Sequence, residues 1–329
     1  MHRAMVRRVP NEARHRSRSR RRGKFEMNRA ANHSRDSETH SRDDVVPPRL
    51  KGFMFDLDGT LLLSDRSLGG YDILPGAVDL LAELERRAVP FVVLTNGSAY
   101  PPAEQAAKLR RLGLAVRDDR MLTPSSIAAD LMIRHGVQRA LVLGSPGVGH
   151  ALRDAGVETV HTGEHGERDV QAVYVGWYPE CTMTAIEAAC HAIWAGAKLY
   201  VASDVPFFAS KQGRTMGYSY AIVGAVRRVT RAPMILTGKP SLDALRFVAR
   251  KLGLRRGDVG VVGDDPSVEI IMARRGGAKA FAVTTGVTSR EEWQCQTGLR
   301  RPDRVLTRLD DLLDCVAAPP VPAAVSSPP

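Results

Sequence analysis

The sequence predicts an α/β fold in which strands and helices alternate around a parallel sheet. From residue 51 onward, short apolar runs that end in small or acidic residues alternate with amphipathic stretches of helical period. Several of these stretches begin with Pro or Ser, which favour the first turn of a helix. Glycines suited to helix C-caps follow five of them, at Gly113, Gly136, Gly196, Gly253 and Gly276.

The apolar runs are the predicted strands: Gly52 to Phe55, Pro90 to Leu94, Ala140 to Leu143, Ala172 to Val175, Leu199 to Ala202, Asp258 to Val262, Lys279 to Val283 and Arg304 to Leu306. The predicted helices are Pro75–Arg87, Pro101–Leu112, Pro124–Arg134, Thr182–Ala195, Tyr218–Val229, Ser241–Leu252 and Ser267–Arg275. Because a helix lies between most successive strands, we expect the strands to pair in parallel.

The basic charge of the chain is concentrated at its N-terminus. The 329 residues carry a formal net charge of +11. Residues 1–50 hold 14 Lys and Arg against six Asp and Glu, so the rest of the chain is close to balanced. This leader and the Pro- and Ala-rich tail at 316–329 have too little apolar surface to bury a core, so we expect both to be disordered. The region between them is long enough for two domains.

Composition also limits the location and the class of function. No apolar run approaches the roughly 18 residues needed to span a bilayer, which excludes membrane-embedded functions. The four cysteines form no C-x-x-C pair and are too few for a disulfide framework, so we expect free thiols and a cytoplasmic location. The leader leaves open an arm that binds a polyanion. Without aromatic residues in its Arg run it offers only weak attraction, so nucleic acid is not an expected partner.

The segment from Phe53 to Thr60 carries the strongest chemical signal. An apolar strand runs directly into two carboxylates, Asp56 and Asp58, followed by Gly and Thr. Ligands bind beyond the carboxyl ends of strands in open parallel sheets, so we expect these acids at a site. Two like charges at a buried strand end are costly unless a cation or a proton relieves them. An acidic turn would explain a single such residue without any function.

Three later segments place polar groups at equivalent points of the predicted fold. Thr95 and Asn96 follow the strand that ends at Leu94 and can hydrogen-bond the oxygens of an anion. Lys239 lies just before a predicted helix, where a cation can meet an anionic ligand beside the helix N-terminus. Asp264 and Asp265 follow a strand and offer oxygen ligands to a hard cation.

This constellation resembles the four motifs of the haloacid dehalogenase (HAD) superfamily of phosphohydrolases. The first motif matches residues 56–60, the second Thr95, the third Lys239 and the fourth residues 263–265. The stretch from Leu94 to Pro240 further resembles subfamily IIA, which includes p-nitrophenyl phosphatase-like, nucleotide and pyridoxal phosphate phosphatases. The resemblance implies a Rossmann-like core, formed by residues 51–135 and 234–315, and an inserted α/β cap at residues 136–233.

The resemblance also implies roles for the motif residues. Asp56 would be the nucleophile that forms an aspartyl-phosphate, and Asp58 would act as acid and then as base. Mg²⁺ would be held by the Asp56 carboxylate, the Asp58 backbone carbonyl and Asp264. The residues that bind the transferred phosphate would be Thr95, Asn96 and Lys239.

Two places depart from the family pattern. The second acid of the fourth motif is Glu269 rather than Asp, and Asp265 is the alternative residue for that role. In the cap, the family's Thr-Asn-x-Asp segment is reduced to an Ala-Ser-Asp sequence that ends at Asp204. Asp204 and Trp177 are the candidate contacts to the substrate in the cap. These departures affect the choice of substrate more than the reaction.

The sequence therefore predicts a Mg²⁺-dependent phosphatase that hydrolyses a small phosphomonoester through an aspartyl-phosphate. One rival is a phosphotransferase that passes the phosphoryl group to another acceptor. A second rival is a non-catalytic HAD-like regulator that the Arg-rich leader tethers to a polyanion. The expected partner is a small phosphorylated metabolite, with a homo-oligomer through the cap as an open alternative.

Overall fold

The computed structural model describes residues 49–65, 70–210 and 213–317. Its strands are β1 (Gly52–Phe55), β2 (Leu62–Ser64), β3 (Tyr71–Ile73), β4 (Phe91–Leu94), β5 (Met121–Leu122), β6 (Arg139–Leu143), β7 (Glu158–Val160), β8 (Ala172–Val175), β9 (Lys198–Val201), β10 (Phe207–Ser210), β11 (Gly213–Met216), β12 (Met234–Leu236), β13 (Val259–Gly263), β14 (Lys279–Ala282) and β15 (Arg304–Val305). Its α-helices are α1 (Ala77–Arg86), α2 (Pro102–Arg111), α3 (Pro124–Arg134), α4 (His150–Asp154), α5 (Met183–Trp194), α6 (Tyr218–Thr230), α7 (Leu242–Leu252), α8 (Ile271–Gly276) and α9 (Arg290–Gln294).

The first sheet has six parallel strands in the order β15-β14-β13-β1-β4-β5. All four residues of β1 are buried, as its uninterrupted apolar sequence requires for a strand covered on both faces. Phe53 and Phe55 pack with residues of α1 and α2. Met54 points to the other face and packs with residues of α7 and α8. Helices therefore cover this sheet on both sides.

The second sheet has five parallel strands in the order β12-β9-β8-β6-β7. Apolar residues of α5 and α6 pack on one face of it. The other face contributes Tyr174 and Tyr200, both fully buried, to the hydrophobic core that also contains Met54 of the first sheet. Their hydroxyl groups lie 3.2 Å from Ser125 Oγ and 2.7 Å from His135 Nδ1, respectively, so neither buried polar group lacks a partner.

The carboxyl ends of three neighbouring strands meet at one edge of the first sheet. Strand β1 lies between β13 and β4, and the register pairs Phe55 with Val262 and with Val93. Because the three strands run in the same direction, the residues that follow them emerge together. These residues are Asp56 after β1, Thr95 after β4 and Asp264 after β13.

The predicted α/β class with a parallel sheet is confirmed. The predicted strands and helices lie within two residues of the observed ends, except that the helix expected from Ser267 starts as a π-helical turn at Pro266–Ile270. The hairpins β2–β3 and β10–β11 were not predicted, because their short strands contain polar residues and form no continuous apolar run. The C-cap of α8 is Gly277 with a φ of +77°, not the expected Gly276, which lies within the helix.

Three expected boundaries shift by a few residues. Leu50, assigned to the leader, is 1% exposed, and its N–H donates to the Cys315 carbonyl at 2.8 Å. Ala317, assigned to the tail, donates its N–H to the Leu50 carbonyl at 2.8 Å. Strand β12 starts at residue 234 but pairs with β9, so the chain leaves the second sheet about three residues later than expected. The expected disorder of residues 1–48 and 318–329 concerns segments outside the described residues.

Two further expectations concern membranes and cysteines. Over the described ranges, none of the helices combines the length and the apolar character that a bilayer crossing needs. Cys181, Cys190, Cys295 and Cys315 are all free, as expected from their sequence spacing.

Replacing Leu50 by Ala tests whether this residue belongs to the folded part. Because the side chain is buried in the core, we expect Leu50→Ala to lower the free energy of unfolding by about 2–5 kcal/mol, measured by urea denaturation. Leu299→Ala is the matched control, since Leu299 is 49% exposed and should change this free energy by less than about 0.5 kcal/mol. If both substitutions changed the free energy of unfolding equally, Leu50 would belong to the leader and not to the folded part.

Candidate active site

One cavity lies at the carboxyl edge of the first sheet and contains every motif residue predicted from the sequence. Its walls include Asp56, Asp58, Thr95, Asn96, Lys239, Asp264, Asp265 and Glu269. The other walls come from the second sheet and its connections, including the hairpin β10–β11. The cavity therefore lies between the two sheets, which are parts of the same compact unit.

Lys239 is the centre of the charge arrangement in this cavity. Its side chain is 1% exposed, and its ammonium contacts Asp56 Oδ1 and, at 2.8 Å, Glu269 Oε1. The Asn96 side chain holds the Lys239 backbone through two hydrogen bonds: Lys239 N–H donates to Asn96 Oδ1 at 2.8 Å, and Asn96 Nδ2 donates to the Lys239 carbonyl at 2.9 Å. Asn96 was predicted to bind phosphate, but its amide is already engaged in positioning Lys239.

Asp56 and Asp58 are held by different partners although they are two residues apart. Besides Lys239, Asp56 accepts a hydrogen bond from Thr60 Oγ1 at 3.2 Å through its other oxygen. Asp58 instead accepts from Ser64 Oγ at 2.6 Å. Burial raises the pKa of Asp58 to about 6, and the nearby Asp56 carboxylate contributes to the same shift, against the Ser64 hydrogen bond. The two acids thus occupy distinct environments within one turn.

Thr95 and Asp264 lie at the ends of the strands that flank β1. Thr95 is 2% exposed and accepts the Gly97 N–H at 2.9 Å through Oγ1, which leaves its O–H free to donate to a ligand. Asp264 Oδ2 accepts the Val287 N–H at 2.7 Å. A Cβ atom at Gly59 or Gly286 would overlap the Asp264 carboxylate, so glycine at both positions leaves room for this acid.

The structure distinguishes Glu269 from Asp265, which the sequence had left open. Glu269 is buried and pairs with Lys239. Asp265 instead accepts the Ser267 N–H at 2.7 Å and caps the π-helical turn. A side chain at Gly263 would collide with Glu269, so the glycine leaves space for the longer acid. Glu269 is therefore the acidic partner of Lys239.

Carboxyl groups outnumber cations in the cavity. Among the described residues that line it, five are acids, Asp56, Asp58, Asp264, Asp265 and Glu269, and Lys239 is the one cation. Burial raises the pKa of Asp264 well above its ordinary value, and Asp56 and Glu269 add to this shift. Burial also raises the pKa of Glu269 to about 7, against the attraction of Lys239. For Lys239, burial lowers the pKa but the carboxylates of Asp56 and Glu269 outweigh it, so the net shift is upward.

This excess of acid fits a hard divalent cation. Mg²⁺ prefers oxygen ligands and is usually bound by one or two protein carboxylates with waters. Asp56 and Asp264, which both line the cavity, offer carboxylate oxygens of this kind, and their role as ligands together with the Asp58 backbone carbonyl stays a prediction. Within the described residues no group of three or more His, Cys, Asp or Glu side chains is arranged to hold a metal ion.

The wall opposite the acids is aromatic. Trp177 stacks edge-on with Tyr218, with ring centroids 4.7 Å apart, and lies 6.1 Å from Phe208. The Trp177 backbone N–H donates to Ser98 Oγ at 2.9 Å, next to the Thr95–Asn96 segment. Trp177 lines the cavity as predicted, but Asp204 does not. Its neighbours Ser203 and Val205 line the cavity instead.

Comparison with known proteins identifies the family. A family model described as haloacid dehalogenase-like hydrolase matches residues 53–158, and a second, described as HAD-hydrolase-like, matches residues 236–312. The chain belongs to the HAD superfamily of hydrolases. The first match extends through β6 of the second sheet, and the second begins at the last residue of β12. The relatives place the chain in subfamily IIA. Asp56 and Thr95 fall in the first match, and Lys239, Asp264 and Glu269 fall in the second.

Three similar proteins cover most of this HAD hydrolase. An acid sugar phosphatase of Staphylococcus saprophyticus is 26% identical over 243 residues, which are 74% of this chain and 89% of the relative. The structure of a p-nitrophenyl phosphatase from Archaeoglobus fulgidus has a TM-score of 0.71 and 26% identity, and covers 82% of this chain and 100% of its own. The structure of a glycerol phosphate phosphatase from Mycobacterium tuberculosis, solved in complex with magnesium, has a TM-score of 0.70 and 25% identity. The match covers 80% of this chain and 76% of that chain.

The excess of buried carboxylates predicts that Mg²⁺ stabilises this HAD hydrolase. Because a ligand that binds only the native state adds about 2.7 kcal/mol at 100 times its Kd, we expect Mg²⁺ to raise the Tm measured by scanning calorimetry. Asp264→Asn should abolish this rise. Asp265→Asn is the matched control, since Asp265 is engaged with Ser267, and it should keep the rise. A rise that survives Asp264→Asn would remove Asp264 from the ligand set.

Proposed function

We propose that the protein is a Mg²⁺-dependent phosphatase that hydrolyses a small phosphomonoester through an aspartyl-phosphate at Asp56. The observation that carries this proposal is that the neighbouring acids Asp56 and Asp58 have different hydrogen-bond and ion-pair partners. The Lys239 ammonium contacts Asp56 Oδ1, and this ion pair holds the Asp56 carboxylate in place to attack phosphorus. Asp58 has a pKa raised to about 6 by burial, which suits a group that gives and takes a proton near neutral pH.

The first step transfers the phosphoryl group to the protein. An Asp56 carboxylate oxygen forms a bond to phosphorus as the bond to the leaving oxygen breaks, and Asp58 gives its proton to that oxygen. Lys239 and the Thr95 hydroxyl hold the phosphoryl oxygens and offset their charge. Asn96 acts indirectly, since it holds the Lys239 backbone. Mg²⁺ at Asp56, Asp264 and the Asp58 carbonyl would supply the remaining positive charge and bring the phosphate to Asp56.

The second step hydrolyses the aspartyl-phosphate. Asp58, now ionised, takes a proton from a water molecule as the water oxygen bonds to phosphorus. The bond between phosphorus and Asp56 breaks, which restores the carboxylate and releases phosphate. Lys239 stays paired with Glu269 through both steps, so it keeps its place when Asp56 is esterified.

The rivals account for fewer of these observations. A phosphotransferase would use the same first step, and it differs only in the acceptor that enters the second. A regulator without catalysis would not explain why the described residues that line the cavity include five acids and one cation. Buried charges lower stability unless a partner or a ligand compensates them, and they are typical of functional sites. The leader that would tether such a regulator is outside the described residues. The phosphatase names of the relatives also support hydrolysis.

The aromatic wall supports a substrate whose leaving group is small and lacks charge. Trp177, Phe208 and Tyr218 offer ring faces and edges, and the described residues that line the cavity from this side carry no charged group. We take the second sheet and its helices, with the hairpin β10–β11, as the cap. A cytoplasmic location, proposed from the free cysteines, agrees with a phosphorylated metabolite as the partner. A homo-oligomer through the cap stays a prediction.

Asp56→Asn tests the nucleophile. We expect phosphate release from p-nitrophenyl phosphate, glycerol phosphate and sugar phosphates with Mg²⁺ to fall by at least about 10³-fold, because the amide cannot form the ester. Asp79→Asn, an equivalent change at an exposed residue, should leave turnover unchanged. Circular dichroism should be the same for all three proteins. Wild-type rates in Asp56→Asn would rule out the aspartyl-phosphate. Transfer of the phosphoryl group to an added alcohol in preference to water would favour the phosphotransferase.

Trp177→Ala tests the contact to the leaving group. Because an aromatic contact contributes about 0.5–1.5 kcal/mol, we expect KM for p-nitrophenyl phosphate to rise up to about tenfold. Inhibition by inorganic phosphate should be unchanged, since phosphate lacks a leaving group. Trp194→Ala, at a ring that is 60% exposed on α5, is the control. A weaker inhibition by phosphate in Trp177→Ala would show that the ring acts on the phosphate site instead.

A further inference from the structure

Ser64 is a buried polar residue that none of the motifs explains. It ends strand β2, opposite Tyr71 of β3, and is 1% exposed. Its hydroxyl donates to Asp58 Oδ1 at 2.6 Å, a short distance typical of a hydrogen bond to an ionised acceptor. The hairpin thus gives Asp58 a hydrogen bond from a buried side chain.

The hydroxyl is not required by the hairpin itself. Strands β2 and β3 pair through their backbones in the register Leu62–Ile73, Leu63–Asp72 and Ser64–Tyr71. Leu62, on the same face as Ser64, is fully buried and apolar. A buried hydroxyl costs free energy unless it has a partner, and an apolar residue would fill this place without that cost. The polar residue is therefore explained by Asp58.

The bond to Ser64 makes the two oxygens of Asp58 inequivalent. Because Oδ1 accepts the hydroxyl proton of Ser64, the proton that Asp58 exchanges with the substrate resides on Oδ2. The same Ser64 bond is compatible with both states of the acid, since Oδ1 is an acceptor in the neutral and in the ionised form. The carboxyl group can thus give and take a proton without rotating.

We propose that Ser64 is a positioning residue that fixes the Asp58 carboxyl group so that Oδ2 transfers the proton to and from the reacting oxygens. This inference rests on the proposed phosphatase function. In the first step, the bond from phosphorus to the leaving oxygen breaks, the bond to Asp56 forms, and the Oδ2 proton moves to the leaving oxygen. In the second step, a water proton returns to Oδ2 as the water oxygen bonds to phosphorus and Asp56 leaves.

The dependence on the leaving group separates this role from a general structural one. The p-nitrophenolate group departs without a proton, whereas the alkoxide of glycerol phosphate requires one. The ratio of kcat/KM for the two substrates, which reports the steps up to the aspartyl-phosphate, therefore measures proton donation. Partial unfolding of a variant lowers both values equally and leaves the ratio unchanged.

The experiment measures this ratio for Ser64→Ala, Ser64→Gly and Ser64→Thr in the full chain with Mg²⁺. General acid catalysis contributes about 10²–10⁴-fold, and the Ala and Gly variants keep the Asp58 carboxyl group itself. We therefore expect kcat/KM for glycerol phosphate to fall about 10- to 100-fold in both, up to the lower limit of that contribution. The value for p-nitrophenyl phosphate should change less than about threefold, since its leaving group needs no proton. Ser64→Thr retains the hydroxyl and should restore the ratio.

Two comparisons complete the test. Ser125→Ala removes another buried hydroxyl contact, at 3.2 Å from Tyr174 and away from the cavity, and should leave the ratio at the wild-type value. Asp58→Asn should shift the ratio in the same direction as Ser64→Ala. A uniform loss for both substrates in Ser64→Ala and Ser64→Gly would overturn the role of Ser64 and leave the phosphatase function intact. A shifted ratio together with full turnover in Asp56→Asn would overturn the aspartyl-phosphate and keep Ser64.

Discussion

The buried ion pair between Asp56 and Lys239 is the interaction on which the rest of the site depends. Asp56 emerges at the end of a strand that is buried on both faces, where an uncompensated carboxylate would be costly. The compensating ammonium comes from a residue 183 positions later in the chain. Glu269 holds that ammonium from the other side, and Asn96 holds its backbone. Four distant points of the sequence are thereby fixed relative to one another.

The surrounding backbone leaves space for this arrangement at three glycines. Gly59 and Gly286 adjoin the Asp264 carboxylate, and Gly263 adjoins Glu269. At each position a larger residue would displace an acid. The stored repulsion among the acids is a cost in stability of the kind found at functional sites, where a bound ligand relieves it. The glycines and the acids are therefore one structural unit.

The sequence predicts the parts of this site that depend on regular structure. Asp56, Thr95 and Asp264 follow recognisable apolar strands, and adjacent parallel strands bring their ends together. Ser64 lies in a three-residue strand without a periodic signal, so its contact with Asp58 could not be predicted. Glu269 was ambiguous because only the π-helical turn determines which acid faces Lys239.

Side-chain direction explains the remaining differences. Asp204 was a plausible contact by its place in the chain, but its neighbours Ser203 and Val205 line the cavity and Asp204 does not. Asn96 was expected to hydrogen-bond an anion, and its amide does form two hydrogen bonds, but with the backbone of Lys239. In both cases the residue type was informative and the partner was decided by tertiary packing.

The two hydrogen bonds between Asn96 and Lys239 close a loop of 143 positions that contains the whole second sheet. The entropy of closing a flexible loop rises only with the logarithm of its length, so doubling such a loop costs about 0.6 kcal/mol. The part of this loop that forms the second sheet, which follows α2, β5 and α3, can therefore grow, shrink or be exchanged with little effect on the geometry of the acids. Selectivity for substrates can evolve in the insertion while the chemistry at the edge of the first sheet stays the same.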